Sequence, residues 1–163
     1  MFEALDTVSW TVACQPEWNT TDEIPNSLRQ LASCDPKSGW VKPYRRFLYA
    51  VGNDHAGTYY PAVLSTIPFL GEILKNGSET AQIGTLNALI DLIGTFYPEP
   101  GCEKINNPNG EQPEVRLQLV LEARRLYPLI HEIAVDSSKE SETRQFADDL
   151  LKILATSEGE GSG

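Results

Sequence analysis

Basic residues are scarce in this sequence, and their scarcity restricts the partners to be expected. The 163 residues include 13 Lys and Arg against 23 Asp and Glu, which gives a formal net charge of −10 at pH 7. Proteins that bind nucleic acid or anionic membranes do so through clustered Lys and Arg. The composition therefore argues against nucleic acid and membrane surfaces as ligands and favours a basic partner.

Long hydrophobic runs and paired-cysteine motifs are also missing. No apolar stretch approaches the roughly 20 residues that span a bilayer, and the N-terminal sequence lacks the basic and apolar regions of a secretory signal. Three cysteines, Cys14, Cys34 and Cys102, form no CxxC motif. An odd number of dispersed cysteines is typical of free thiols in a reducing compartment, although one disulfide remains compatible with the count. We therefore expect a cytoplasmic protein.

Motifs for catalysis and metal binding are few. The sequence contains no GxxxxGK[ST], GxGxxG or GxSxG pattern and only two histidines. His131 and Glu132 do not begin an HExxH zinc motif, because Val135 stands where the second histidine is required. We therefore expect no cofactor, no metal and no catalytic residue. Asp54 and His55 are the one pair that could act as a general base, which leaves a small helical enzyme as an alternative.

The remaining composition is that of a folded chain, with 40% hydrophobic and 22% charged residues. Its length predicts a single helical domain over residues 1–157, with an N-terminal arm over residues 1–23. The arm alternates over residues 7–12 in a pattern that fits a short strand, but no pairing strand is evident, so an irregular arm or a short helix at Phe2–Trp10 is equally compatible with the sequence. Its tryptophans are expected to pack over the first helices. Residues 158–163 are expected to be a flexible tail ending in an added Gly-Ser-Gly linker.

From residue 24 onward, apolar residues recur at helical spacing. The pattern predicts six helices, which begin near Asp22 and then cover residues 40–51, 58–76, 78–97, 111–135 and 139–155. Pro68 lies inside the third of these and predicts a kink, and Pro128 divides the fifth into one kinked helix or two short ones. Three glycines inside helices predict close approach of neighbouring helices, namely Gly71, Gly84 and Gly94.

The connections between these helices are short, which predicts antiparallel hairpins. A helix, a loop and a proline-bearing helix recur at roughly 40–47 residues, the period of HEAT-like units. The predicted fold is all-α, with antiparallel helical hairpins stacked as a short HEAT-like α-solenoid. The loop at residues 98–113 is the exception, because it is long and rich in Pro, Gly and Asn, as functional or mobile loops are.

Negative charge is concentrated in the later part of the chain. Residues 1–57 carry five basic and seven acidic side chains, whereas residues 58–163 carry eight and sixteen. Such an excess is either a solvated face or a surface that attracts a basic protein. On the second hypothesis we predict nine partner-binding residues in and near the long loop, including one potential tyrosine anchor: Asp54, His55, Tyr59, Glu79, Asp91, Glu99, Glu103, Glu111 and Glu114.

One segment, residues 47–70, carries a resemblance to a known family. Its elements are Leu48-Tyr49, then His55 and Gly57, then Tyr60-Pro61-Ala62, and finally Ile67-Pro68-Phe69-Leu70. It resembles the HEAT-like helical immunity proteins of bacterial polymorphic toxin systems, in which a helix ending in Leu-Tyr precedes a polar loop and a helix that opens with Tyr-Pro-Ala. It departs from that family at residues 53–57, where the family usually has Cys-His-Gln-Gly.

The resemblance implies a protein that binds one cognate toxin by direct contact and occludes its active site. A negatively charged inhibitor would be steered toward a toxin with a basic surface. The alternatives are the small enzyme that uses Asp54 and His55, and a generic helical-repeat adaptor.

Overall fold

The computed structural model describes residues 2–10, 14–107 and 109–157. Those residues form seven α-helices: α1 Glu23–Ala32, α2 Val41–Val51, α3 Ile67–Asn76, α4 Glu79–Ile90, α5 Val115–Arg124, α6 Tyr127–Val135 and α7 Ser141–Thr156. Three strands of two residues each, β1 Gly52–Asn53, β2 Thr58–Tyr59 and β3 Tyr97–Pro98, form a small sheet. The predominantly helical fold is therefore confirmed, whereas the sheet was not predicted. Within the described ranges, no helix has both the length and the apolar character needed to cross a bilayer.

Helix α4 is surrounded by other helices, and its sequence explains why. Eight of its twelve residues are buried, and apolar or small side chains occur all around it. It packs against α1, α2, α3 and α7. At Gly84 a Cβ atom would lie 2.9 Å from Leu31 Cδ1 and 3.2 Å from Trp40 Cβ, so the absence of a side chain favours this close approach of α1. The predicted close approach of helices is thus confirmed at Gly84, and also at Gly71 and Gly94.

Prolines begin helices in this fold and do not kink them. The predicted third helix consists of β2, a 3-10 turn at Pro61–Thr66 and α3, and Pro68 lies in the first turn of α3. The predicted kink at Pro68 is therefore wrong, since a first helical turn needs no N–H from that residue. Pro128 lies in the first turn of α6, so the predicted fifth helix consists of two helices, α5 and α6. Of the two alternatives predicted for this segment, two short helices is therefore the correct one. The predicted fourth helix ends earlier, with a π-helical turn at Asp91–Thr95.

The N-terminal arm packs onto the helices through its tryptophans, and the predicted packing over the first helices is confirmed for Trp18, on α2, but not for Trp10, which packs on α3. Trp10 is buried, its indole Nε1 donates to the Leu5 carbonyl at 3.1 Å, and its ring lies 6.2 Å from that of Phe69 on α3. Trp18 lies on the end of α2 instead. The arm forms a 3-10 turn at Leu5–Thr7. Residues 11 and 12 of the strand predicted at residues 7–12, and the whole tail predicted at residues 158–163, lie outside the described residues.

The small sheet joins the loop after α2 to the chain that follows α4. β1 pairs with β2 in antiparallel fashion, and β2 pairs with β3 in parallel. Gly52 is required in β1, because a Cβ there would lie 2.0 Å from the carbonyl oxygen of Thr58. The Tyr97 N–H donates to the Gly57 carbonyl at 3.0 Å. The sheet thereby brings the start of the long loop beside the hairpin turn at residues 54–57.

Candidate partner-binding surface

The N-terminal arm is held against the C-terminal end of α2. The last carbonyl groups of a helix have no partner within the helix itself. Here the indole Nε1 of Trp18 donates to the Tyr49 carbonyl at 3.3 Å, and the Asn19 amide donates to the Ala50 carbonyl at 2.6 Å. These two hydrogen bonds cap α2 with side chains of the arm and fix the position of Trp18.

Trp18, Tyr49 and Tyr60 form a cluster of aromatic side chains at the surface, which we call the aromatic patch. The rings of Trp18 and Tyr49 stack with centroids 5.2 Å apart, and Tyr60 meets Trp18 edge-on at 6.4 Å. Trp18 and Tyr49 are each 45% exposed, and Tyr60 is partly exposed. Aromatic residues that remain at the surface together are typical anchors of protein interfaces.

Carboxylates lie beside the aromatic patch. Partial burial and then the negative charge of Glu99, with a weaker effect of Glu17, raise the pKa of the Tyr60 hydroxyl. Glu99 is held in place because its carboxylate accepts a hydrogen bond from the Thr58 hydroxyl. The exposed carboxylate of Glu103 accepts a hydrogen bond from the Gly101 N–H at 3.0 Å, which lowers the pKa of Glu103. Glu103 lies near Cys102, which is itself near Tyr60. We call Glu17, Glu99 and Glu103 the acidic rim.

Two further carboxylates, those of Asp54 in the hairpin turn and of Asp91 after α4, lie near Tyr44. The Tyr44 hydroxyl donates a hydrogen bond to Asp91, which opens the π-helical turn after α4. Burial, the bond to Asp91 and the charges of Asp91 and Asp54 together raise the pKa of Tyr44. Two of the predicted partner-binding residues, Asp54 and Asp91, therefore both lie near Tyr44 although 37 positions separate them in the printed sequence.

Tyr59, the tyrosine predicted as an interface anchor, is fully buried and its side chain is not available to a partner. The prediction assumed a helix, but residue 59 lies in β2, where successive side chains point to opposite sides. Tyr60 therefore faces the surface, whereas Tyr59 faces the core. Burial raises the pKa of Tyr59 to about 12, against the opposing effect of the nearby Arg116.

Glu79 was also predicted to bind a partner, but it holds two helices together. It lies in the first turn of α4, and its Oε1 accepts hydrogen bonds from the Glu140 N–H and the Thr143 hydroxyl, both at 2.7 Å. Glu140 immediately precedes α7. The carboxylate thus supplies the cap that α7 lacks in its own sequence.

Glu111 and Glu114 are exposed on the returning half of the long loop. That loop closes on itself, since the Ile105 N–H donates to the Pro113 carbonyl at 2.9 Å and Lys104 pairs with Glu114 through a single β-bridge. These two carboxylates are accessible, and they follow the acidic rim along the chain.

Asp54 and His55 are neighbours in the hairpin turn, but their side chains do not interact in the described residues. His55 is exposed in the hairpin turn, and in the described part of the chain no hydrogen bond joins its imidazole to Asp54. Two surface depressions are lined by other residues, one by Leu64, Gln118 and Glu122 and another by Lys42 and Arg46. Within the described ranges, no three His, Cys, Asp or Glu side chains are grouped to hold a metal ion.

Trp18 and Tyr49 were not among the predicted site residues. They are 31 positions apart and belong to the arm and to α2, so no local pattern connects them. Tyr60 could have been found from alternation along residues 58–60, had a strand been considered there. Compared with known proteins, the chain matches no protein-family model, no curated protein and no solved structure.

Proposed function

We propose that this protein is a non-enzymatic inhibitor that binds a basic protein through the aromatic patch and its acidic rim. The observation that carries the proposal is the exposed stack of Trp18 on Tyr49, with Tyr60 beside it. Glu99 and Glu17 lie near Tyr60, and Glu103 lies near the adjoining Cys102. Specific interfaces commonly combine aromatic anchors with a polar rim. The net charge of −10 would accelerate association with a positively charged partner.

We further propose that the partner is a cognate bacterial toxin, the class of protein that the resemblance implies. Tyr49 and Tyr60 both belong to the segment that resembles helical immunity proteins, and both contribute to the aromatic patch. The resemblance and the surface therefore point to the same residues. A HEAT-like stacking of hairpins belongs to the same proposal, and the packing of α1 on α2, α3 on α4 and α6 on α7 supports it. The cytoplasmic location expected from the sequence also remains part of the proposal.

The decisive experiment measures binding and inhibition with the purified toxin encoded beside this protein's gene. Trp18→Ala should weaken binding by about 30-fold, as expected for an anchor worth about 2 kcal/mol. Tyr127→Ala is a matched control, since Tyr127 has the same 45% exposure but lies on α6. It should change the affinity by less than about threefold. Equal effects of the two substitutions would refute the aromatic patch as the interface.

The role of charge is tested by the dependence of the association rate on salt. Association should slow as the salt concentration rises, because ions screen the attraction between the two proteins. Glu17→Gln should weaken this dependence more than Glu132→Gln, a control at an exposed glutamate of α6. An association rate that does not respond to salt would contradict electrostatic steering. Binding that leaves the toxin fully active would favour the adaptor over the inhibitor.

A further inference from the structure

Two of the three cysteines meet in the folded chain. The sulfur atoms of Cys14 and Cys102 lie 3.3 Å apart, although 88 positions separate the residues in sequence. Cys34 lies apart from them, buried just after α1, where its Sγ donates to the Gln30 carbonyl at 3.5 Å. The odd number of cysteines is thus made up of one contacting pair and one buried thiol.

The backbone on both sides of this contact is anchored to the same short stretch of chain. The Ala62 N–H donates to the Cys14 carbonyl at 3.0 Å, which ties the arm to the turn after β2. The Cys102 N–H donates to the Glu99 carbonyl at 2.8 Å, and the Glu99 N–H donates to the Tyr59 carbonyl at 2.7 Å. Because residues 59–62 hold both partners, the fold itself brings the two thiols together.

We propose that Cys14 and Cys102 are a site of reversible disulfide formation that links the N-terminal arm to the start of the long loop. A disulfide bond is about 2.05 Å long, so the two sulfur atoms must approach by roughly 1.2 Å, shared between two side chains. The inference goes beyond the proposed function and does not depend on a partner. The oxidant is a small-molecule disulfide such as oxidised glutathione.

The chemistry is two successive thiol–disulfide exchanges. The thiolate of exposed Cys14 attacks one sulfur of the oxidised glutathione, forms a mixed disulfide and releases one glutathione thiolate. The thiolate of Cys102 then attacks the Cys14 sulfur and releases the second glutathione. Two protein thiols lose two protons and two electrons, and both electrons leave with the glutathione pair.

Exposure sets this order of attack and keeps Cys34 out of the reaction. Cys14 is exposed and Cys102 is partly exposed, whereas Cys34 is buried. Burial, together with the adjoining Cys14 thiol, raises the pKa of Cys102 to about 11, so the second exchange should accelerate with rising pH. Burial also raises the pKa of Cys34 to about 11.

The test equilibrates the full chain with mixtures of reduced and oxidised glutathione, then blocks free thiols and measures the mass of the intact protein and of its peptides. We expect a loss of about 2 Da, a linked peptide that contains Cys14 and Cys102, and a blocked Cys34. Disulfide formation should be about a thousandfold more favourable in the native protein than in concentrated urea. Oxidation should also raise the Tm by about 10 °C, and a reductant should reverse the shift.

Single Cys→Ser substitutions provide matched controls, because serine is close to cysteine in size. Cys14→Ser and Cys102→Ser should each abolish the shift in Tm, whereas Cys34→Ser should retain it. Glutathione that stays attached to Cys14 of the native protein, with no linked peptide, would overturn the proposal. A disulfide that forms as readily in urea as in the native protein would overturn it as well.

Discussion

Replacing Glu79 with Ala should destabilise the packing of α7, although Glu79 lies on α4. Its carboxylate accepts hydrogen bonds from the backbone N–H that precedes α7 and from the Thr143 hydroxyl, both at 2.7 Å. Thr143 is completely buried, and the substitution removes the hydrogen-bond partner of its hydroxyl. The predicted effect therefore reaches the far end of the chain through one side chain.

The magnitude follows from these two contacts. Loss of a helix N-cap costs about 1 kcal/mol, and a buried donor left unsatisfied costs about 1–3 kcal/mol. Because Glu79 is only partly buried, water can replace part of the lost hydrogen bonding. We therefore expect Glu79→Ala to lower the free energy of unfolding by about 2 kcal/mol. Glu79→Gln keeps an acceptor oxygen and loses only the charge near the helix N-terminus, a cost of about 0.5 kcal/mol.

Urea denaturation followed by circular dichroism measures these differences directly. Thr143→Val removes the donor and keeps the shape, and its combination with Glu79→Ala should show a coupling of about 1 kcal/mol, because both changes remove the same hydrogen bond. Glu140→Ala serves as the control, since only the backbone of Glu140 takes part. A loss below about 0.5 kcal/mol for Glu79→Ala, or fully additive effects in the double variant, would refute the bridging role of Glu79.

Three further outcomes are expected. Gly52→Ala should cost about 3 kcal/mol in urea denaturation, because the new Cβ would lie 2.0 Å from the Thr58 carbonyl oxygen; a loss under about 1 kcal/mol would contradict the sheet register. Gly84→Ala should cost about 1 kcal/mol, since the crowding of its Cβ against Leu31 at 2.9 Å and Trp40 at 3.2 Å is partly offset by the higher helix propensity of Ala, and a neutral result would show that these side chains can move aside. Burial raises the pKa of Tyr59 from 10.0 to about 12, so the stability that its neutral form supports is complete below pH 10 and is lost as the pH rises toward 12. Between pH 8 and pH 11 the free energy of unfolding should fall by about 1.4 kcal/mol more in the parent protein than in Tyr59→Phe, and equal slopes would show that Tyr59 ionises normally.

Several elements of the fold could be predicted from local sequence, and others could not. The apolar repeats along α1, α2 and α7 have the helical period, and the glycine at position 84 correctly predicts a close approach of helices. The segment around Pro61 and Pro68 was predicted incorrectly, because prolines at helix starts and prolines that kink a helix look alike in sequence. Strands of two residues are too short to show any period, so the sheet gave no signal.

The candidate site also contains residues that the sequence predicts and residues that it does not. Glu99 and Glu103 could be recognised as acidic residues from the composition of the long loop, and the structure places Glu99 near Tyr60 and Glu103 near Cys102. Of the adjacent Tyr59 and Tyr60, Tyr59 was predicted as the interface anchor, but it is buried. The alternation of side chains along the strand decides which of the two faces outward. Glu79 is an acidic residue and was predicted to bind a partner, but its carboxylate accepts hydrogen bonds at the start of α7 and so stabilises the fold.

By itself, the sequence determined the helical character and the excess of negative charge, since both follow from residue type and local spacing. Only the tertiary structure decided which distant residues meet. Trp18 reaches Tyr49 across 31 positions, Glu79 reaches Thr143 across 64, and Cys14 reaches Cys102 across 88. Such contacts depend on the path of the whole chain, and no local pattern encodes that path. The aromatic patch and the cysteine pair are therefore properties of the fold.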